Sequence, residues 1–215
     1  MALNPQDFII TRKRKKYKFA LFYNSPLCFE FEDVSQVAPF TVLEVGAGTG
    51  LFSVALAASS EKRFLAVDVK ADRLQKGARQ AEAENRENVQ FLRARADQLH
   101  EFILPHSLEA IWVTFPDPFP RERSAKHRLT HPNYLSLYKE WLKPGGALYF
   151  KTDARLLFEW SLERLVEEGW GPQELSFDLH ESKLSSEYKY KTTYESRYME
   201  EGKSIGFVKA TLPTR

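Results

Sequence analysis

The sequence predicts an α/β fold: a mostly parallel sheet of about seven strands with helices on both faces. Three observations carry this prediction. From residue 41 onward, short apolar runs alternate with segments of helical periodicity. A glycine-rich turn joins the first run to the first of those segments. An acidic residue closes the second run, about 20 residues beyond the glycines.

In chain order, the runs 41–45, 64–67, 89–92, 110–115 and 147–150 are rich in Val, Leu, Ile and Phe and short enough to be strands. Between them, 51–58, 71–84, a short segment near 98–104, and 132–141 with Pro132 at its start read as helices. Residues 156–168 carry an apolar face at helical spacing, and 175–179 and 205–212 read as two further strands. Residues 143–146 and 169–172 look like turns, and 181–203 is polar and reads as irregular. No repeat, low-complexity tract or linker interrupts this order, so a basic extension over 1–40 and one domain over 41–215 are expected.

Bulk properties agree with a single core: 215 residues, 43% hydrophobic and 28% charged. A formal charge of +2 does not announce a nucleic-acid partner, so any electrostatic argument rests on where the basic residues sit. The lone cysteine, Cys28, has no internal partner, and no Cys/His grouping has the spacing of a metal site. No apolar run reaches membrane-spanning length and no signal peptide is evident. A soluble, cytoplasmic monomer or homodimer without metal is the expectation.

The segment Val42-Leu43-Glu44-Val45-Gly46-Ala47-Gly48-Thr49-Gly50 runs from a strand into a turn that opens a helix. Gly46 and Gly48 permit the tight turn and a close approach by a ligand. Asp68 ends the next strand, where a carboxylate accepts hydrogen bonds from both ribose hydroxyls of a nucleoside. The glycines follow Gly-x-Gly-x-Gly with Glu44 ahead of them, whereas the dinucleotide fingerprint is Gly-x-Gly-x-x-Gly around a pyrophosphate, which a neighbouring carboxylate would repel. Glu44 suits a ligand bearing an ammonium group. The pattern, with Leu142-Lys143-Pro144-Gly145-Gly146 before the fifth strand, resembles the Rossmann-like class I methyltransferases, whose cofactor is S-adenosylmethionine. The third strand ends in Arg93-Ala94-Arg95-Ala96-Asp97, where Asp97 is either an adenine contact or a cap for the short helix that follows.

The fourth strand ends in Thr114-Phe115-Pro116-Asp117-Pro118-Phe119-Pro120, followed by Arg121-Glu122-Arg123-Ser124-Ala125-Lys126-His127-Arg128. Prolines on both sides stiffen the backbone that holds Asp117 at a strand's C-terminal end, where ligands bind in such sheets. This block resembles the bacterial tRNA (guanine-N7)-methyltransferase family, whose hallmark is Phe-x-Asp-Pro-Trp/Phe-Pro before a basic, histidine-containing run. The likeness extends from Glu44 nearly to the C-terminus and includes Lys151-Thr152-Asp153 and Thr192-Thr193-Tyr194-Glu195. The resemblance implies cofactor contacts from Glu44, Asp68, the loop around Arg95 and Ala96, and Asp117, which is also the catalytic carboxylate. It implies RNA or base contacts from Arg121, Asp153, Thr192 and Glu195. Arg123, Lys126 and Arg128 join Arg121 as cations beside the proposed chemistry. Two positions depart from the family: Arg95 stands where Asn or Asp is common, and Arg121 replaces Lys but keeps the charge.

Guanine N7 exposes a lone pair, so methyl transfer needs an in-line approach rather than a strong base. Carboxylates at Asp117 and Asp153 would stabilise the charge moving onto the purine and accept hydrogen bonds from guanine N1 and N2, donors that adenine lacks. The plainer readings are that Asp117 caps a turn, Asp153 caps the helix beginning near Leu156, and 192–195 is a surface turn. The run Thr11-Arg12-Lys13-Arg14-Lys15-Lys16-Tyr17-Lys18, with Phe19, Phe22 and Tyr23 after it, is either a solvated tail or a grip on phosphates and bases. Competing functions are a nicotinamide-dependent oxidoreductase, a methyltransferase of another RNA or small acceptor, and a non-catalytic RNA-binding module. Glu44 and the glycine spacing oppose the first, and the Asp117 block and the glycine loop oppose the other two.

Overall fold

A computed structural model describes residues 13–191 and 193–213. Contacts group the chain into an N-terminal unit, Met1–Leu99, and a C-terminal unit, His100–Arg215.

The N-terminal unit contains α1 (Lys13–Tyr23), β1 (Cys28–Glu30), β2 (Val42–Val45), α2 (Leu51–Ala57), β3 (Phe64–Asp68), α3 (Ala71–Ala83) and β4 (Val89–Arg93). Its strands lie in the order β1-β4-β3-β2, every pair parallel. Every residue of β2 is buried, which explains its apolar Val42, Leu43 and Val45 and leaves Glu44 as a charge that the fold encloses. In α3, Ala71, Leu74, Ala78 and Ala81 form the buried stripe expected of a helix laid on a sheet.

Two elements here escape sequence reading. The basic run enters α1, whose C-terminal half buries Ala20 and Phe22 while the helix packs on α3. Phe22, 1% exposed, is therefore core and not a stacking platform for RNA bases. β1 is three half-buried residues long and gains strand character only by pairing with β4.

Gly77 lets α3 approach the glycine turn. A Cβ there would lie 2.6 Å from the Thr49 carbonyl oxygen and 2.6 Å from the Phe91 ring. Gly77→Ala is expected to lower stability by about 1–3 kcal/mol, the usual range for overpacking, measurable as a drop in the midpoint of denaturant unfolding at unchanged slope.

The C-terminal unit contains β5 (Leu108–Thr114), α4 (Pro132–Trp141), β6 (Leu142–Thr152), α5 (Arg155–Glu167), β7 (Gly171–Ser176), α6 (Thr193–Glu200) and β8 (Gly206–Thr211). Strand order is β5-β6-β8-β7, with β5 and β6 parallel and β8 antiparallel to both its neighbours. The expected turn at 143–146 is absorbed into β6, where Gly145 takes φ +79° and the β5–β6 register shifts between Leu108 and Ala110. β7 falls at Gly171–Ser176 rather than 175–179. It is an edge strand whose side chains are all at least partly exposed, so no apolar run marks it.

The segment 181–203 is not irregular. It forms a 3-10 turn over Ser186–Lys189 and then α6, and it sends Tyr188 and Glu195 into the interior. Tyr188 stacks on Phe207 with ring centroids 4.6 Å apart, and Trp112 stacks on Tyr149 at 4.2 Å. This aromatic layer attaches the polar segment to β6 and β8. Among the described residues, no helix is long and apolar enough to cross a membrane.

Candidate active site

In the N-terminal unit, β2 delivers the chain into a turn where Gly46, Gly48 and Gly50 take φ of +73°, +57° and +70°. That conformation is strained for other residues, which accounts for the alternate glycines. The turn is held from three sides. Ala47 N–H donates to the Val67 carbonyl at 2.9 Å, Gly48 N–H to Asp68 Oδ2 at 2.9 Å, and Gly77 N–H to the Thr49 carbonyl at 2.9 Å. A Cβ at Gly48 would meet nothing within 4 Å, so the backbone there borders open space that a ligand can approach closely.

Asp68 braces this turn, since its Oδ1 also accepts the Lys70 N–H at 2.9 Å. Each oxygen keeps a lone pair for a further donor. Burial raises the Asp68 carboxyl above its ordinary value, with the amides of Gly48 and Lys70 and the charges of Arg73 and Lys70 pulling the other way. Glu44, 2% exposed, accepts a hydrogen bond from Ser53 Oγ at 2.6 Å. Ser53, three residues past Gly50 on α2, was not singled out from the sequence. A serine one turn into the helix that follows the glycines, opposite a strand glutamate, is the signal that pointed to it. The open backbone at Gly48, the hydroxyl acceptor at Asp68 and the buried carboxylate at Glu44 fit a cationic amino-acid nucleoside.

Arg95 and Asp97 pair with each other. Arg95 Nε donates to Asp97 Oδ1 at 2.9 Å, and its Nη2 meets Oδ2. At this helix start the Arg95 N–H donates to Gln98 Oε1 at 2.9 Å. Ala96 opens the 3-10 helix Ala96–Glu101 and is half-buried.

In the C-terminal unit, Phe115 and Phe119 take φ of +47° and +41°, so the Asp117 segment is bounded by two bulky residues in a strained conformation. Both are restrained. Phe115 N–H donates to the Lys151 carbonyl at 2.8 Å, and the Arg128 guanidinium donates to the Phe119 carbonyl from Nε at 3.3 Å and Nη2 at 3.0 Å. Asp117 itself is exposed, and among the described residues no hydrogen bond or ion pair engages it, so it does not cap a turn.

Arg128 corrects an expectation. It is 6% exposed and its guanidinium lies over Trp160 at 4.4 Å, so it clamps the loop from inside instead of presenting charge to RNA. Arg121, Arg123, Lys126 and His127 are exposed on and before the 3-10 helix Glu122–His127.

Asp153, at the end of β6, is met by Lys203 Nζ at 3.3 Å. It does not cap α5, whose N-cap is Ala154 with no side-chain hydrogen bond. It opens onto a cleft of about 190 Å³ lined by Thr152, Arg155, Phe177, Lys203 and Ser204 among others. Glu195 corrects a second expectation: it is 0% exposed, with its carboxylate shared between Lys151 Nζ at 2.8 Å and His180 Nε2 at 2.9 Å, so it has no surface to offer RNA. Thr192, Thr11 and Arg12 lie outside the described residues. In the sequence Lys151 stands out only as part of Lys151-Thr152-Asp153 and not as a site residue, although a charge directly after the apolar run 147–150 marks a position where burial demands a partner. Among the described residues, no group of His, Cys, Asp and Glu could hold a metal ion.

A family model described as "Putative methyltransferase" matches residues 38–208. The tRNA (guanine-N(7)-)-methyltransferase of Cytophaga hutchinsonii is 38% identical over 172 residues, 78% of this chain and 78% of that protein. The protein of the same name from Brevibacillus brevis is 35% identical over 170 residues, covering 79% of each. Among solved structures, the 16S rRNA methyltransferase KamB superposes with a TM-score of 0.61 at 19% identity, over 85% of this chain and 93% of that one. An antibiotic-related methyltransferase gives 0.60 at 16% identity, over 85% and 92%. At those identities the solved structures speak to the fold alone, a class I methyltransferase α/β fold. The relatives that share more than a third of their residues with it over most of both chains place this protein in the tRNA (guanine-N(7)-)-methyltransferase family.

Proposed function

We propose that the N-terminal unit binds S-adenosylmethionine and that the C-terminal unit receives a guanine of tRNA, in the variable loop, for methylation at N7 in the cytoplasm. The observation that carries the reading is the glycine turn: open at Gly48, braced by Asp68 and preceded by the buried carboxylate of Glu44. S-adenosylmethionine supplies a methyl group on a positively charged sulfur. Glu44, oriented by Ser53, receives the ammonium group, and the free lone pairs of Asp68 accept the ribose hydroxyls. Ala96 and the Arg95–Asp97 pair border the adenine.

Asp117 accepts hydrogen bonds from guanine N1 and N2 and, with Asp153, offsets the positive charge that the purine gains as the bond to N7 forms. The lone pair of N7 makes the new bond while the electrons of the old one return to sulfur, so no proton needs to be removed. Arg121, Arg123 and Lys126 take phosphates, and Thr192 is assigned to the acceptor side on resemblance alone.

Incubation with unmodified tRNA and methyl-labelled S-adenosylmethionine, followed by nucleoside digestion, is expected to yield 7-methylguanosine, mapped to the variable loop by chain cleavage at the modified base. Cofactor binding with unlabelled tRNA would sink the acceptor assignment. The basic residues separate by salt dependence. Arg121→Ala and Lys126→Ala are each expected to reduce the slope of log affinity against log salt by about 1. Arg128→Met is expected to leave the slope unchanged but lower stability by about 1–3 kcal/mol, because a strained carbonyl loses its donors.

A further inference from the structure

We propose that Lys151 is a positioning residue for the acceptor side of the reaction, anchoring α6 so that this helix steadies the backbone before Asp117 and the carboxylate of Asp153. The inference rests on the functional reading above, in which those two acids face the guanine.

Lys151 and Glu195 are both 0% exposed. The Lys151 ammonium uses all three donors: to the Tyr188 carbonyl at 3.2 Å, the Tyr190 carbonyl at 2.9 Å and Glu195 Oε2 at 2.8 Å. His180 Nε2 takes the other Glu195 oxygen at 2.9 Å. Burying an ion pair carries a desolvation cost that apolar side chains of similar volume avoid, so packing alone does not call for one here. What the pair provides is directional: three acceptors from one polar segment converge on a single point of β6.

From that point, α6 and the residues just after it reach Phe115, ahead of Asp117, and Asp153. The Tyr198 ring lies 6.0 Å from the Phe115 ring, and Phe115 is the positive-φ residue two positions before Asp117. Lys151 touches the same residue twice, through its own carbonyl, which accepts the Phe115 N–H at 2.8 Å, and through its ammonium, 5.6 Å from the Phe115 ring centroid. Just past α6, Lys203 lies 4.4 Å over the Tyr198 ring and reaches Asp153 Oδ2 at 3.3 Å. Asp153 is itself two residues beyond Lys151. One buried cation thus connects the strained end of β5, the end of β6 and the helix whose residues contact both.

Lys151→Met alone would strand the Glu195 charge, so the test is the double variant Lys151→Met/Glu195→Gln in the full chain, which removes both charges and leaves His180 a partner. Three properties are compared with wild type: the dissociation constant for S-adenosylmethionine by titration calorimetry, kcat and KM for tRNA methylation, and hydrogen exchange of peptides covering residues 115–119 and α6. Cofactor affinity is expected to stay within about twofold and KM for tRNA within about threefold, while kcat falls on the order of 10- to 100-fold, as for a misplaced reacting group. Exchange should accelerate in residues 115–119. His180→Gln, which disturbs the same carboxylate more gently, should fall between the two. Wild-type kcat in the folded double variant, or cofactor binding lost in parallel with activity, would overturn the proposal. If wild-type protein made no 7-methylguanosine, the functional reading would fall on its own, and unchanged exchange at 115–119 would still overturn the positioning role.

Discussion

Asp117→Ala is expected to lower kcat for 7-methylguanosine formation by about 10²- to 10³-fold, the range seen when one electrostatic contact to a transition state is removed. Hydrogen bonds to a charged acceptor contribute about 1.5–3 kcal/mol each, and the carboxylate is assigned two, from guanine N1 and N2. In the proposed role it also faces the charge that develops on the purine, an interaction absent from the ground state, so the loss is expected in kcat more than in KM. The variant is informative because the loop does not depend on this side chain. Pro116 and Pro118 limit the backbone, Arg128 and Lys151 hold its two ends, and the Asp117 carboxylate has no partner among the described residues. Asp117→Asn keeps one acceptor oxygen and loses the charge, and its activity should lie between the two. Full activity in Asp117→Ala would place the acceptor elsewhere.

Asp68→Ala is expected to weaken S-adenosylmethionine binding by about 10²- to 10³-fold, since two charge-assisted hydrogen bonds to ribose are lost together. The same change leaves the Gly48 N–H without its acceptor and loosens the turn. Titration calorimetry reads the affinity, and an unchanged value would remove Asp68 from the cofactor site. Asp68→Asn separates the two roles, because an amide oxygen can still hold Gly48 while its NH₂ group opposes the Lys70 N–H. A pH dependence accompanies this assignment. Burial raises the Asp68 carboxyl above its ordinary value of 3.8, so protonation of the free protein begins at higher pH than for an exposed aspartate. The ligand donates to the ionised form. Affinity should therefore hold at neutral pH and fall as pH drops through that raised value, and the dependence should vanish in Asp68→Asn.

The parts that could be read along the chain are those whose physics is local. Alternate glycines after an apolar run require a positive-φ turn wherever the chain goes next, and Gly46, Gly48 and Gly50 adopt one. Parallel strands covered on both faces are mostly apolar, which made β2, β3 and β4 legible to within a residue or two despite Glu44, Asp68 and Gln90. Pro132 marks the start of α4 because its missing N–H costs nothing there. The Asp117 segment was equally readable, for its prolines act on their immediate neighbours.

Which charged residues face water depends on how distant segments pack. Arg121 and Arg128 stand seven positions apart in one basic run, yet one is exposed and the other is folded inward against Phe119 and Trp160. Glu195 reads as part of a polar surface segment and is fully buried, because Lys151 and His180 reach it from 44 and 15 residues away. β1 and β7 exist only through partners remote in the chain. A charge can be buried only where an opposite charge or a set of carbonyls meets it, and those partners are gathered by the fold and not by neighbours in sequence. The loop chemistry is thus written locally, while the clamp on its far end, the anchor beneath α6 and the pairing of Asp153 with Lys203 are products of chain crossings that no local pattern encodes.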